Sequence, residues 1–372
     1  MTRPPQYKWQ PTTAEIAERF GLLESAVIRF DHNTSPYATD WAAGIVTPLA
    51  RALNEYPGAS YAPLRQAAAI YLDIEPTNIV PGAGIDELIL LIAKAFLGPN
   101  TRGSSVVPTY PMYEIATMQH HGEFLALPYS DDLAFPEEAF GQAAETSDVT
   151  WLCIPNNPTG DRIENTSISR IINAAKGIVV IDAAYAEFSG DRWGAWIERH
   201  DNLVVLHTMS KAFGLAGLRV GFAIGSPELI GQIDAVRPPG SISSVSAELA
   251  AVALAEPQRM ERVVRRISRE RDRFSEALSY IGLTAYSSLT NFILCYVGPD
   301  AGRLGGVLLS EGLVVRTYPP KHPLGNHLRF TVRSPDESDL LVEALDRHIQ
   351  TFSNRSGKGA DHVTGSPPPN GG

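Results

Sequence analysis

Three short stretches set reactive side chains directly behind β-rich runs. Asn157 lies in Pro155-Asn156-Asn157-Pro158-Thr159-Gly160, after the run Val149 to Ile154. Asp182 and Tyr185 follow the run Gly177 to Ile181. Ser210 and Lys211 come after Leu203 to Leu206, and Arg219 stands eight residues beyond the lysine in the Gly-rich GLAGLRVG. In an open α/β sheet the loops outside the carboxyl ends of the strands form one rim, and ligands bind there. That rim would carry an amide, a carboxylate with a phenol, and an amine with a guanidinium. A primary amine condenses with a carbonyl, a carboxylate holds a proton on a ring nitrogen, and a guanidinium binds phosphate.

Taken singly, each piece also suits an ordinary turn, cap or solvated surface. Taken together they match what pyridoxal phosphate requires. Lys211 supplies an amine for its aldehyde, and Asp182 an anion for its pyridine nitrogen. Asn157 and Tyr185 suit its phenolic oxygen; Arg219 and Ser210 suit its phosphate. A phosphate also binds well at a helix N-terminus. Pro81-Gly82-Ala83-Gly84-Ile85-Asp86 precedes a helical window with residues small enough to let backbone N–H groups approach. Gly84, Ile85 and Asp86 are therefore candidates for that contact. The stretch is not the GxGxxG dinucleotide fingerprint, because the third glycine is missing, and no Walker-type lysine follows a glycine loop.

These groups need a frame. A short helix is expected at Thr13 to Phe20, stopped by Gly21, then a strand at Ala26 to Phe30 and a turn-rich loop from Asp31 to Tyr37. Pro63 to Tyr71 reads as a helix with proline in its first turn. From about residue 79, β-rich runs (Ser105 to Val107, Val149 to Ile154, Gly177 to Ile181, Leu203 to Leu206, Val220 to Ile224) alternate with helical windows such as Asp86 to Phe96 and Ile168 to Ala175. Near-continuous apolar strands alternating with helices predict an α/β fold, its mostly parallel sheet sandwiched by helices. Beyond Pro257 a long charged helix is followed by strands at Phe292 to Val297, Leu313 to Arg316 and Leu328 to Val332, then a helix near Asp336 to Ile349. This second part reads as a smaller α+β domain. The expected division is 1–40 as an N-terminal arm and part of the small domain, 41–256 as the large domain, and 257–352 as the small domain. Residues 353–372, rich in Gly, Ser and Pro without apolar anchors, are expected to be a disordered tail.

Composition narrows the classes. At 372 residues, 44% hydrophobic and 19% charged, the chain is long enough for two or three domains and too apolar for bulk disorder. Its 31 Lys and Arg against 41 Asp and Glu leave a formal charge of −10, which disfavours nucleic acid and anionic membrane as partners. The N-terminal stretch lacks a continuous apolar segment of the secretory kind, and Leu88 to Leu97 is too short to span a bilayer, so a cytoplasmic protein is expected. The two cysteines, Cys153 and Cys295, read as small hydrophobes in strands. His120, His121 and His207 have no zinc-type spacing and read as structural or surface residues; no metal is expected.

The stretch Ser210 to Gly221, with NNPTG, IDAAYAEF and PTYPMY upstream, resembles the fold-type-I pyridoxal-phosphate aminotransferases, and within them the histidinol-phosphate aminotransferase group. The likeness runs from about Val27 to Ile349. It implies Lys211 as the Schiff-base lysine and proton shuttle, Asp182 as the pyridinium partner, and Asn157 and Tyr185 as donors to the phenolate. It implies that Tyr110 stacks on the ring. It also implies that Tyr56 reaches the phosphate in a neighbouring subunit, hence a homodimer with shared active sites.

Substrate choice falls to the small domain. Alternation along Leu328 to Arg333 sets Arg329, Thr331 and Arg333 on one face and Leu328, Phe330 and Val332 on the other. The resemblance implies that Arg329 holds the substrate's anionic end, joined by Arg316 for phosphate-bearing substrates, with Arg333 as a competitor. Asn33, in HNTSPYATD, matches the family's N-terminal substrate loop loosely, and Ile85 stands where a hydroxyl residue is common. The expected activity is amino transfer between histidinol phosphate and 2-oxoglutarate. The rivals are an O-phosphothreonine decarboxylase, an aromatic amino-acid aminotransferase, a nucleotide-binding oxidoreductase and a non-catalytic regulator. The missing dinucleotide fingerprint counts against the oxidoreductase, and the lack of a DNA-binding segment ahead of Val27 against the regulator.

Overall fold

The computed structural model describes residues 5–49 and 53–357. Its first helix, Thr13–Phe20, starts where Thr12 and Glu15 form a reciprocal capping box and ends at Gly21, whose φ of 67° closes the turn. A two-residue strand follows, β1 (Ile28–Arg29), shorter than the expected run because Glu24–Ala26 forms a 3-10 turn.

The large sheet contains β2 (Ile79–Gly82), β3 (Arg102–Val107), β4 (Glu123–Pro128), β5 (Val149–Cys153), β6 (Ile178–Asp182), β7 (Leu203–Thr208) and β8 (Gly221–Gly225), in the order β2-β8-β7-β6-β5-β3-β4. Five neighbours, β7-β6-β5-β3-β4, are parallel; β8 runs antiparallel to both β7 and β2. The strands β5, β6 and β7 are buried from end to end, since helices cover both faces and no polar side of the sheet is needed. Edge strand β4 carries only exposed and half-buried residues, without strict alternation. Its pattern is weak enough that sequence reading passed over it.

Beyond the 24-residue helix Pro257–Tyr280, a three-stranded antiparallel sheet joins β9 (Thr284–Ala285), β10 (Phe292–Tyr296) and β12 (His327–Thr331). A short strand, β11 (Leu313–Val314), pairs in parallel with β1, and Thr331 N–H donates to the Phe30 carbonyl at 2.7 Å. The N-terminal segment is thus fastened into the C-terminal part, which holds Asp31 to Asn33 against β12. The final helix runs Pro335–Gly357, past the expected stop near Ile349 and into the stretch read as tail from residue 353; the remainder of that stretch, 358–372, lies outside the described residues. No helix among the described residues is long and apolar enough to cross a membrane.

Candidate active site

The parallel strands end on one rim, and the rim encloses a cleft of about 260 Å³. Strand order explains why: β5, β6 and β7 are direct neighbours, so the loops after Cys153, Asp182 and Thr208 meet. Lys211, Asp182, Tyr185, Asn157, Tyr110, Ser210, Ile85, Asp86, Arg219, Asn33, Arg316 and Arg329 all line this cleft.

Asp182 ends β6 and is 4% exposed. Its carboxylate accepts from the Tyr113 hydroxyl at 2.7 Å and from the Ala184 N–H at 3.1 Å. Burial nevertheless outweighs those bonds and pushes its pKa up to about 6. Lys211 donates from Nζ to the His32 carbonyl at 3.4 Å. Burial, with the Arg329 guanidinium next, brings its amine down to about 8, against the opposing pull of Asp86 and Asp182. An amine so placed exchanges protons near neutral pH.

Tyr185 is buried, edge-on to Phe292 with ring centroids 5.3 Å apart, and accepts at its hydroxyl from Asn33 Nδ2 at 3.0 Å. Asn33 is itself held by its N–H to Thr331 Oγ1 at 2.9 Å and by Asn291 Nδ2, which donates to its carbonyl at 3.0 Å. Arg329 donates to Asn157 Oδ1 and, at 2.7 Å, to the Asp31 carbonyl. That contact occupies the amide oxygen of Asn157 and leaves Nδ2 as its donor. Arg316 and Arg329 are bonded backbone to backbone.

The phosphate-type corner is built by the reversed strand. Gly82 of β2 and Gly221 of β8 are register partners, which brings Arg219, just ahead of β8, to the start of the helix Gly84–Phe96. Gly84 has φ +83°, and a Cβ there would lie 2.9 Å from Arg219 Nη2. A Cβ on Gly221 would lie 3.1 Å from the Ile85 nitrogen. The lack of side chains keeps the guanidinium and the first helical N–H groups side by side, a cradle suited to an oxyanion. Asp86 joins the corner from inside the helix, accepting from Arg219 at 2.8 Å and from the Tyr110 hydroxyl at 2.7 Å.

Two expected residues lie elsewhere. Arg333 falls just past β12 and pairs with Glu337 at 2.9 Å, outside the cleft, so it does not compete with Arg329 within this chain. Tyr56 is 97% exposed and does not line the cleft of its own chain. Sequence reading missed Tyr113, which stacks on Trp151 at 5.5 Å beneath the rim, and Tyr318, whose buried hydroxyl has no protein partner beside the two arginines. Tyr113 lies in PTYPMY three residues after Tyr110, a signal that could have found it; nothing in the sequence singles out Tyr318. Cys153 and Cys295 are buried and free. Among the described residues no cluster of His, Cys, Asp and Glu is arranged to hold a metal.

Residues 23–345 match the family of class I and II aminotransferases. The chain is 37% identical, over 299 residues, to the histidinol-phosphate aminotransferase of Caldanaerobacter subterraneus subsp. tengcongensis, covering 79% of this chain and 84% of that one. Its fold is similar to that of histidinol-phosphate aminotransferase from Sinorhizobium meliloti in complex with pyridoxal-5'-phosphate, with a TM-score of 0.84, 25% identity, and 93% and 96% of the two chains covered. It is also similar to L-threonine-O-3-phosphate decarboxylase from Porphyromonas gingivalis, with a TM-score of 0.76, 25% identity, and 88% and 100% covered. A cleft that joins a lysine of lowered pKa, a buried aspartate and a glycine-lined helix start beside an arginine on a mostly parallel sheet accords with that match: the chain belongs to the class I and II aminotransferase family.

Proposed function

We propose that this chain binds pyridoxal phosphate and transfers an amino group between histidinol phosphate and 2-oxoglutarate. The observation that carries the substrate is the backbone pairing of Arg316 and Arg329 on the cleft wall, where two guanidiniums line a space suited to a doubly charged phosphate. The cofactor fits the cradle that glycine leaves beside Arg219. When bound, the cofactor supplies an aldehyde that condenses with amines and a ring that withdraws electrons from Cα.

The protein's own groups then divide the work. Lys211, with an amine near pKa 8, would take the proton from substrate Cα and return it across the nitrogen to the carbon that bore the aldehyde. Asp182, anchored by Tyr113, sits where a ring-nitrogen proton needs a counter-charge, and that cation in turn favours its ionised form. Asn157 and Tyr185 donate to the phenolic oxygen, and Tyr110 covers the ring. Ser210, Arg219 and the helix start at Gly84 to Asp86 hold the phosphate. Arg316 and Arg329 hold the substrate's anionic end, and Asn33 orients Tyr185.

The exposed Tyr56, with Val46, Leu53 and Ile70 also exposed, supports a homodimer in which Tyr56 reaches the partner's cleft. A cytoplasmic setting is part of the same proposal. Two guanidiniums also suit O-phosphothreonine, so a decarboxylase is the second reading. The experiment is single-turnover reaction of the yellow holoenzyme with histidinol phosphate, phenylalanine, tyrosine and O-phosphothreonine. Conversion of the cofactor to its amine form, fastest with histidinol phosphate, supports the proposal. Release of carbon dioxide from O-phosphothreonine without that conversion would overturn it.

A further inference from the structure

A second cavity of about 180 Å³ lies behind the cleft and shares none of its lining. Strand alternation separates the two: Thr208 of β7 faces the cleft and His207 faces the cavity. The chain after β6 divides the same way, with Tyr185 in the cleft and Ala186 and Glu187 in the cavity.

The floor is polar and unsatisfied. His207 is 7% exposed, yet neither ring nitrogen has a partner in the protein. The indole N–H of Trp193, 2% exposed and part of the same lining, is likewise unpaired. Buried polar atoms are rarely left so in folded proteins. Burial lowers His207 to about 4, so its ring is neutral and offers one donor and one acceptor. Glu187, raised by burial to about 7, accepts from Tyr71 at 3.4 Å. The outer edge carries two cations, Arg192 and Arg265; Arg192 hydrogen-bonds Tyr71 and its charge acts on Glu187 and His207, but among the described residues no carboxylate forms a close ion pair with it. Glu261 offsets Arg265 only at 3.7 Å, and Asp191 is taken up by Arg162 at 2.7 Å. Met260 and Val264 of the long helix form an apolar side wall.

We propose that this cavity is a binding site for a small aliphatic carboxylic acid with two polar ends. One carboxylate pairs with Arg192 at the edge, where a guanidinium offers a bidentate fork. The carbon chain lies on Met260 and Val264. The second polar end reaches the donor and acceptor of His207 and the indole N–H. An inorganic oxyanion would satisfy the edge and leave the floor unpaired.

The test is a titration of the holoenzyme with succinate, read by tryptophan fluorescence and assigned to the cavity with Trp193→Phe. The expected result is a saturable change that weakens at least about tenfold in Arg192→Gln, roughly the loss of one charge-assisted bond. His207→Leu should weaken it as well; this variant removes an unpaired buried group, so the protein is expected to stay folded. Val264→Trp fills the cavity without removing a hydrogen bond and should abolish binding. Arg329→Gln should leave the Trp193-dependent part of the titration unchanged, which separates this site from the cleft. Three results would overturn the proposal: no saturation at millimolar succinate, a titration lost in Arg329→Gln but kept in Arg192→Gln, or inorganic phosphate binding more tightly than succinate.

Discussion

Arg316 and Arg329 face each other directly: the N–H of Arg316 donates to the carbonyl of Arg329 at 3.1 Å, and the reverse bond is 3.0 Å. Residues directly opposite in an antiparallel pair send their side chains to the same face. Two guanidiniums therefore enter the cleft from one point of the C-terminal part of the chain, although thirteen positions separate them in sequence.

Their other contacts differ, and so should their variants. Arg329 also donates to Asn157 and to the Asp31 carbonyl, so it braces the cleft as well as lining it. Arg316→Gln should lower kcat/KM for histidinol phosphate by roughly 10–100-fold, about 1.5–3 kcal/mol for a charged hydrogen bond, and leave dephosphorylated histidinol nearly unaffected. Arg329→Gln should lower both. Steady-state kinetics with the two substrates distinguishes them.

Tyr113 sets the acid side of the pH profile. Its hydroxyl donates to Asp182 and so favours the ionised carboxylate against the burial that pushes the group up to about 6. Tyr113→Phe keeps the stack on Trp151 and removes the donor. The acidic limb of kcat/KM should then move upward by about one unit, equivalent to about 1.4 kcal/mol. An unchanged limb would mean that Asp182 does not control it.

Gly84 is needed at a left-handed backbone position against Arg219. Gly84→Ala adds strain of about 1–2 kcal/mol and drives the guanidinium away from the helix start. Pyridoxal phosphate should bind roughly tenfold more weakly, as measured by fluorescence titration of the cofactor-free protein.

Burial of Asp182 has a cost that depends on pH. A carboxyl raised from 3.8 to about 6 takes up its proton in the folded state before the unfolded one does. Its penalty is thus fully present above about 6 and fades as pH falls toward 3.8. Asp182→Asn should accordingly stabilise the cofactor-free protein at about pH 8 more than at about pH 5. Denaturant unfolding at the two values measures the difference; an equal gain at both would show that the charge carries no such penalty.

Much of this site was legible because its residues are local to strand ends. Asn157, Asp182, Tyr185 and Lys211 each follow a continuous apolar run, and such runs announce buried strands whatever their order. The helix Thr13–Phe20 was equally readable from its cap and its glycine stop. Strand β4 was not, because an edge strand buries little and its pattern fades. Nor was the exclusion of Arg333: alternation set it on the same face as Arg329, but the strand ends at Thr331 and Glu337 draws it aside.

The sequence by itself determined the chemical inventory: an amine, a carboxylate, a phenol, an amide and cations, each at the mouth of a β-segment. It could do so because residue type and strand pattern are properties of neighbours along the chain. Only the tertiary structure decided which of them meet. The antiparallel turn of β8 delivers Arg219 to Gly84, the pairing of Phe30 with Thr331 brings Asn33 to Tyr185, and the helix after Tyr110 carries Tyr113 beneath Asp182. Those contacts join residues far apart in the chain, and they depend on sheet order and register, which packing of the whole core selects.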